Sequence, residues 1–209
     1  MRPATIEESW TRIENWLSEH APLSRTRLRP PARPEDISAA EQTLGLRFHP
    51  DLIASLLRHD GVEQADGTPE LSYFGPLAPL SELVQTTLAT RGTDPEGSPE
   101  SDGEDEEENE EGDEEEAAWH PQWVLITLGI GWQATDGLFL SCLPGPHHGQ
   151  IGEYVDEDFP AFTDWPSLGH LLADYAEALE QGRAFEQQLP VTEDGVLLWK
   201  PADAGGAGE

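Results

Sequence analysis

The chain has 209 residues, with 42 acids against 11 lysines and arginines, and a formal net charge of -31. This length can bury one sizeable hydrophobic core. A strongly acidic surface repels nucleic acid and anionic membranes and attracts basic protein surfaces. From the composition we therefore expect no direct binding to nucleic acid or membranes. We expect a basic protein as the partner.

Much of the charge lies in one segment. Residues 94–116 carry 15 acids and no base, and without them the formal charge of the chain is -16. The range 92–118 has almost no apolar residues, so burial there cannot offset the entropy cost of ordering the backbone. We predict a disordered acidic insert over 92–118 and a flexible tail over 201–209.

The compartment is predicted from the cysteine count and from hydropathy. Cys142 is the one cysteine, so no internal disulfide can form, which is typical of a reducing environment. No stretch approaches the ~20 apolar residues of a membrane span, and the first residues do not form a signal peptide. We expect a cytoplasmic protein.

The first part of the chain shows helical patterns with clear ends. Thr5 and Glu8 form a capping box before a helix that ends near residue 21. A second helix ends at Gly45, and a third begins at Pro50 and is closed by Gly61. Residues 71–74 are predicted to form a strand, and residues 80–88 a helix capped by Ser81. The apolar positions of the first three helices are Ile6, Trp10, Ile13 and Leu17, then Ile37, Ala40 and Leu44, then Leu52, Ile53, Leu56 and Leu57.

The second part reads as a sheet followed by a helix. Apolar runs at 123–128, 138–143 and 150–155 are separated by turn-rich segments, which favours an antiparallel meander. A helix of about four turns follows from Pro166 and stops at Gly182. The sequence around 193–195 predicts a small additional hairpin near the end of the chain.

The order of these elements resembles a known family. The pattern Glu41-x-x-Leu44-Gly45-x-x-Phe48-x-Pro50-x-Leu52, closed by Asp60-Gly61, is similar to the SMI1/KNR4 family, also called the SUKH superfamily. The resemblance covers about residues 5 to 182 without the acidic insert. It implies one α+β domain, with a largely antiparallel sheet packed against N- and C-terminal helices. Residues 1–91 and 119–200 would form the two parts of that domain.

Motifs for catalysis or cofactor binding are weak. Residues 129–134 match a dinucleotide fingerprint, but a turn into another strand follows where a phosphate-binding helix is needed. Cys142 lies in an apolar strand without a basic neighbourhood, which favours a buried thiol over a nucleophile. The pair His147-His148 diverges in an extended segment and lacks further ligands. We predict no cofactor, no metal and no enzymatic activity.

The resemblance implies a protein-binding function in one of two forms. Members are often bacterial immunity proteins that bind and neutralise a toxin domain, and a basic nuclease or deaminase would suit this acidic chain. Others are regulatory or scaffold proteins, including fungal regulators of cell-wall synthesis, and here the acidic insert would recruit a basic partner. Trp132 is either folded over the sheet end or offered to a partner, and the turn after the third helix gives Asp60 a structural reason of its own. The predicted contact residues are Asp60, Glu63, Trp132, Asp136 and Glu153.

Overall fold

The computed structural model describes residues 5–92, 119–129, 137–154 and 160–202. Apart from Gly92, the predicted insert lies outside the described residues, as do most of the predicted tail and the two predicted contacts Trp132 and Asp136. The described helices are α1 (Ile6–His20), α2 (Pro22–Thr26), α3 (Pro34–Leu44), α4 (Pro50–Arg58), α5 (Leu80–Gly92) and α6 (Leu168–Gln181). The described strands are β1 (Trp123–Leu125), β2 (Gly137–Ser141), β3 (Ile151–Tyr154), β4 (Ala161–Phe162), β5 (Gln188–Glu193) and β6 (Val196–Pro201).

The helix ends follow the local chemistry of the sequence. The Thr5 side chain accepts from the Glu8 backbone N–H at 3.1 Å while Glu8 accepts from the Thr5 N–H at 2.8 Å, which confirms the capping box of α1. Gly45 closes α3 with φ 67°, and Gly182 closes α6 with φ 62°. These left-handed conformations strain residues that carry a Cβ, so glycine ends each helix cleanly.

The four strands β1 to β4 form one antiparallel sheet in chain order, which confirms the predicted meander and adds β4 as a strand that the sequence did not indicate. The inner face of the sheet carries apolar side chains into a core shared with α1, α3, α4 and α6. β5 and β6 form a separate hairpin closed by Asp194-Gly195, as the sequence predicted. The structure is thus an α+β fold in which helices from both ends of the chain cover an antiparallel sheet.

The outer face of the sheet holds a second, aromatic cluster made by Trp119, Trp123, Leu125 and Phe139. The Trp123 and Phe139 rings stack with centroids 4.4 Å apart. A Cβ on Gly152 would lie 2.1 Å from the Phe139 ring, so this β3 position requires glycine. Both faces of the sheet are therefore packed by described residues.

Three predictions in the first half of the chain were wrong. Helix α4 ends at Arg58 with His59 as its C-cap, so Gly61 does not close it. Residues 71–74 form a 3₁₀ turn (Ser72–Phe74) instead of a strand, because Ser72 takes φ 56° and reverses the chain direction. Ser81 does not cap α5, since the helix begins one residue earlier. The Leu80 N–H instead donates to Asp60 Oδ1 at 2.8 Å, so a residue from a distant loop caps this helix.

Candidate protein-binding groove

An open groove of about 490 Å³ lies beside β4, where the sheet meets α6 and the turn before β5. Four carboxylates line it, and each comes from a different element. Glu153 lies on β3, Asp164 follows β4, Asp174 lies on α6, and Glu186 lies in the turn between α6 and β5. We call this the acidic groove.

Aromatic rings make up the apolar part of the acidic groove, namely Phe74, Phe162 and Trp165. Trp165 stacks on the buried ring of Phe185 at 5.6 Å and meets Phe74 edge-on at 5.9 Å. The Trp165 indole N–H also donates to Asp174 Oδ2 at 3.2 Å. Because packing and a hydrogen bond fix its ring, Trp165 offers a rigid aromatic surface beside the carboxylates.

A tight turn places Glu186 at the groove. Phe185 and Gln188 exchange backbone hydrogen bonds at 2.8 and 3.0 Å, which closes a two-residue turn over Glu186 and Gln187. Both turn residues have positive φ, 48° and 62°, a conformation that usually selects glycine or asparagine. Two strained residues in succession are a pattern that accumulates at functional sites.

The carboxylates of the groove lie close enough to disfavour ionisation of Glu186. Burial raises the pKa of the Glu186 carboxyl, and the charges of Asp174 and Asp164 raise it further. The nearby Tyr73 hydroxyl has its pKa raised to about 12 by burial and by the charges of Glu153 and Glu186. The groove therefore carries an excess of negative charge that a cation from outside would relieve.

One arginine already serves part of this cluster. Arg183 donates to Asp174 and lies 3.8 Å from Glu177 on the outer side of α6. It does not line the groove. Its single charge leaves the groove with more carboxylates than internal cations among the residues that the structure describes.

The five predicted contact residues are not gathered in one place. Glu153 lines the acidic groove, while Asp60 and Glu63 do not. Asp60 accepts from Arg29 at 3.1 Å as well as capping α5, so its contacts are structural. Glu63 is paired with Arg27 at 3.1 Å, and Trp132 and Asp136 lie outside the described residues.

Sequence reasoning missed Asp164, Asp174 and Glu186. They stand in a loop, on a helix and in a turn, and only the packing of β4, α6 and β5 brings them together. The one local signal was Asp164-Trp165, an acid beside an aromatic residue shortly before the helix cap Ser167. Single acids in such positions are usually exposed to solvent, so this pattern does not by itself predict a binding site.

The arginine-rich connector over residues 25–34 is not a free basic surface. Each of its four arginines lies within 4 Å of an acid. The pairs are Arg25 with Glu14, Arg27 with Glu63, Arg29 with Asp60, and Arg33 with both Glu35 and Asp36. These ion pairs neutralise the strip locally. The acidic character of the surface is therefore not interrupted there.

The other candidate reactive groups are one buried thiol and two exposed histidines that lie against neighbouring rings. Cys142 is buried, and burial raises the pKa of its thiol to about 11, which disfavours the nucleophilic thiolate. His147 stacks on Phe162 at 4.4 Å, and the ring of His148 meets that of His49 at 4.7 Å. In the part of the chain that the structure describes, no three His, Cys, Asp or Glu side chains come together as metal ligands.

No described helix combines the length and the apolar character that crossing a bilayer requires.

Comparison with known proteins places this fold in a family. The chain is 37% identical over 86 residues to a KNR4/SMI1 homolog of Kluyveromyces lactis, and 36% identical over 86 residues to the cell wall assembly regulator SMI1 of Saccharomyces cerevisiae. Each alignment takes in 40% of this chain but only 16% and 17% of the respective yeast protein. A model of the SMI1 / KNR4 family (SUKH-1) matches residues 31–174, from the connector before α3 into α6. The chain therefore belongs to the SMI1/KNR4 family (SUKH-1).

Proposed function

We propose that this chain is a non-catalytic domain that binds a basic protein partner through the acidic groove. The observation behind the proposal is the groove itself, which four carboxylates and three aromatic rings line together. Aromatic residues at a partly buried site favour strong contact with a partner, and carboxylates select for cationic side chains. Membership of the SMI1/KNR4 family, in which a similar yeast protein is named a cell wall assembly regulator, supports the same reading.

Several features of the groove favour binding over catalysis. It is open to solvent, which weakens the electrostatic stabilisation of a transition state that a water-excluding site provides. The buried Cys142 thiol belongs to a different groove, on the side of the α3–α4 loop. Neither groove joins a nucleophile to an oriented base among the described residues, as an enzyme site of the acyl-transfer type requires.

In its first form, the function is that of an immunity protein. The partner is a toxin domain with a basic surface, such as a nuclease or deaminase, and occupation of the groove by its cationic residues blocks the toxin. The test is co-expression with toxins encoded beside this chain. Protection is expected from the unaltered chain and from Glu19→Gln, whose side chain is 78% exposed on α1 and outside the groove.

The matched variant is the double change Asp164→Asn and Glu186→Gln, which removes two charges from the groove without removing side-chain volume. It should lose protection while remaining folded by circular dichroism. A stable chain that protects against none of the neighbouring toxins would contradict the immunity form. Protection that survives the double change would show that the groove is not the binding surface.

A second form is a regulatory or scaffold module, and the name of the similar yeast protein, a cell wall assembly regulator, favours it. Here the acidic insert would recruit the basic partner. Affinity capture with the full chain and with a chain lacking residues 93–118 separates the two forms. Loss of most partners on deletion supports the module, and retention of them supports binding by the folded groove.

A further inference from the structure

The two edges of the sheet β1 to β4 differ in their contacts. The β1 edge and its continuation are covered, since the Leu125 N–H donates to the Thr87 hydroxyl at 3.1 Å and the Ala78 N–H donates to the Ile126 carbonyl at 3.0 Å. The Leu128 N–H donates to the Pro76 carbonyl at 3.0 Å. The segment before α5 therefore occupies this edge.

The opposite edge is β4. Phe162 pairs with Gly152 and Ala161 with Glu153, while the Thr163 N–H donates to the Ile151 carbonyl at 3.0 Å. Because hydrogen-bonded and non-hydrogen-bonded pairs alternate in antiparallel strands, the N–H and C=O of Phe162 point away from β3. Among the residues that the structure describes, no backbone group forms a hydrogen bond with the Phe162 N–H or C=O.

The open edge borders the acidic groove, because Ala161 and Phe162 of β4 line the groove and Asp164 follows two residues later. A chain laid along β4 would therefore run past the groove's carboxylates. An added strand gains main-chain hydrogen bonds from the edge and places alternate side chains on one face of the sheet. Because the groove is negatively charged, the side chains of the added strand that face it should be positively charged.

We propose that β4 takes an extended, arginine-containing segment of the partner as an added strand, with arginines at alternate positions reaching the acidic groove. This rests on the proposed function and specifies how the partner binds. Arginine suits the groove better than lysine, since its planar guanidinium stacks on aromatic rings and donates to several carboxylates at once. The partner is recognised by backbone shape as well as by charge.

The test uses synthetic peptides and the full-length chain. The first probe is an acetylated and amidated heptapeptide with arginine at positions 2, 4 and 6 and threonine elsewhere. The second has the same composition with its three arginines adjacent, and the third is the first peptide with two backbone N-methyl groups on the edge that would face β4. All three carry equal charge, so attraction to the acidic insert is the same for each. Affinity is measured by isothermal titration calorimetry at physiological salt.

The alternating peptide should bind most tightly. N-methylation removes the peptide N–H that would donate to the Phe162 carbonyl and sets a methyl group against β4, which predicts about tenfold weaker binding of the N-methylated peptide. Glu186→Gln should weaken the alternating peptide, and Glu19→Gln should not. Equal affinity for all three peptides together with sensitivity to Glu186→Gln would overturn strand addition and leave the proposed function standing. Insensitivity to Glu186→Gln would instead remove the groove from the proposed function.

Discussion

Asp60 and Glu186 show how an acid's surroundings determine its use. Asp60 accepts from the Leu80 N–H at 2.8 Å and from Arg29 at 3.1 Å, so the fold already satisfies its charge. Glu186 instead faces Asp174 and Asp164, and burial together with these charges raises the pKa of its carboxyl. An acid that the fold satisfies stabilises the domain, whereas a crowded acid is available to a partner.

Asp60→Ala is expected to lower the free energy of unfolding by about 1–2 kcal/mol, because it removes the cap of α5 and leaves Arg29 without its acid. Asp60→Asn keeps a capping oxygen and should cost less than Asp60→Ala. Urea unfolding followed by circular dichroism measures both. If Asp60→Ala left stability unchanged and abolished partner binding, Asp60 would be a contact residue as the sequence suggested.

Glu186→Gln is expected to stabilise the free domain slightly while weakening the partner complex. A raised carboxyl pKa means that the fold favours the protonated form, so this residue's contribution to stability falls as pH rises from its unfolded pKa of about 4.3 through its folded value. At pH 7 the change should gain only about 0.3 kcal/mol, since the carboxylate is partly exposed to solvent. Thermal unfolding of both chains at pH 4 and pH 7 measures this difference. If Glu186→Gln melted below the unaltered chain at pH 7, repulsion between the groove's carboxylates would not be the cause of the raised pKa.

At the scale of elements, a buried acid on α1 joins helices that are distant in sequence. Glu14 accepts from Arg58 Nε and a second guanidinium nitrogen at 2.6 and 2.8 Å, and its Oε1 lies 2.9 Å from His59 Nε2. Its carboxylate is only 13% exposed. Burial alone would raise the pKa of the Glu14 carboxyl, but the hydrogen bonds from Arg58 and His59 outweigh it and lower the pKa.

Glu14→Gln should therefore destabilise the domain by about 2 kcal/mol at pH 7, because Arg58 and His59 lose a charged acceptor. The stabilisation from a depressed carboxyl pKa is present above the unfolded pKa of about 4.3 and is lost as pH falls through the folded value. The unaltered chain should accordingly lose more stability than Glu14→Gln between pH 5 and pH 3. Parallel loss in the two chains, measured by urea unfolding across this range, would show that Glu14 does not sense pH in this way.

The elements also show what local sequence can and cannot predict. The ends of α1, α3 and α6 follow from caps and glycines that act within a few residues, and the sequence predicted them. The 3₁₀ turn at Ser72–Phe74 and the strand β4 depend on tertiary contacts, because an apolar run of three or four residues fits several conformations. The acidic groove includes both, with Phe74 from the turn and Phe162 from β4, and only one of its four acids, Glu153, was predicted.

At the scale of the whole molecule, we expect the net charge to set the rate at which a partner associates and the acidic groove to set the rate at which it dissociates. The acidic segment contributes 15 of the 42 acids in the chain, and its attraction reaches about 8 Å at physiological salt. Both of its flanks are tied to the domain, since Arg91 donates to the Leu44 carbonyl at 2.8 Å and to the Pro121 carbonyl. The described residues that flank the segment are therefore held together where α3 ends and β1 begins.

Deletion of residues 93–118 should slow association with a basic partner by about tenfold at low salt and leave the dissociation rate unchanged. The reason is that steering by charge speeds encounter, whereas the contacts that hold the complex belong to the acidic groove. Stopped-flow measurements at rising ionic strength should bring the association rates of the full and shortened chains together. The double change Asp164→Asn and Glu186→Gln should act mainly by speeding dissociation, so the two sets of acids are separable by kinetics. A dissociation rate that rose on deletion would instead place the partner's contacts within the acidic segment, as the regulatory form of the function requires.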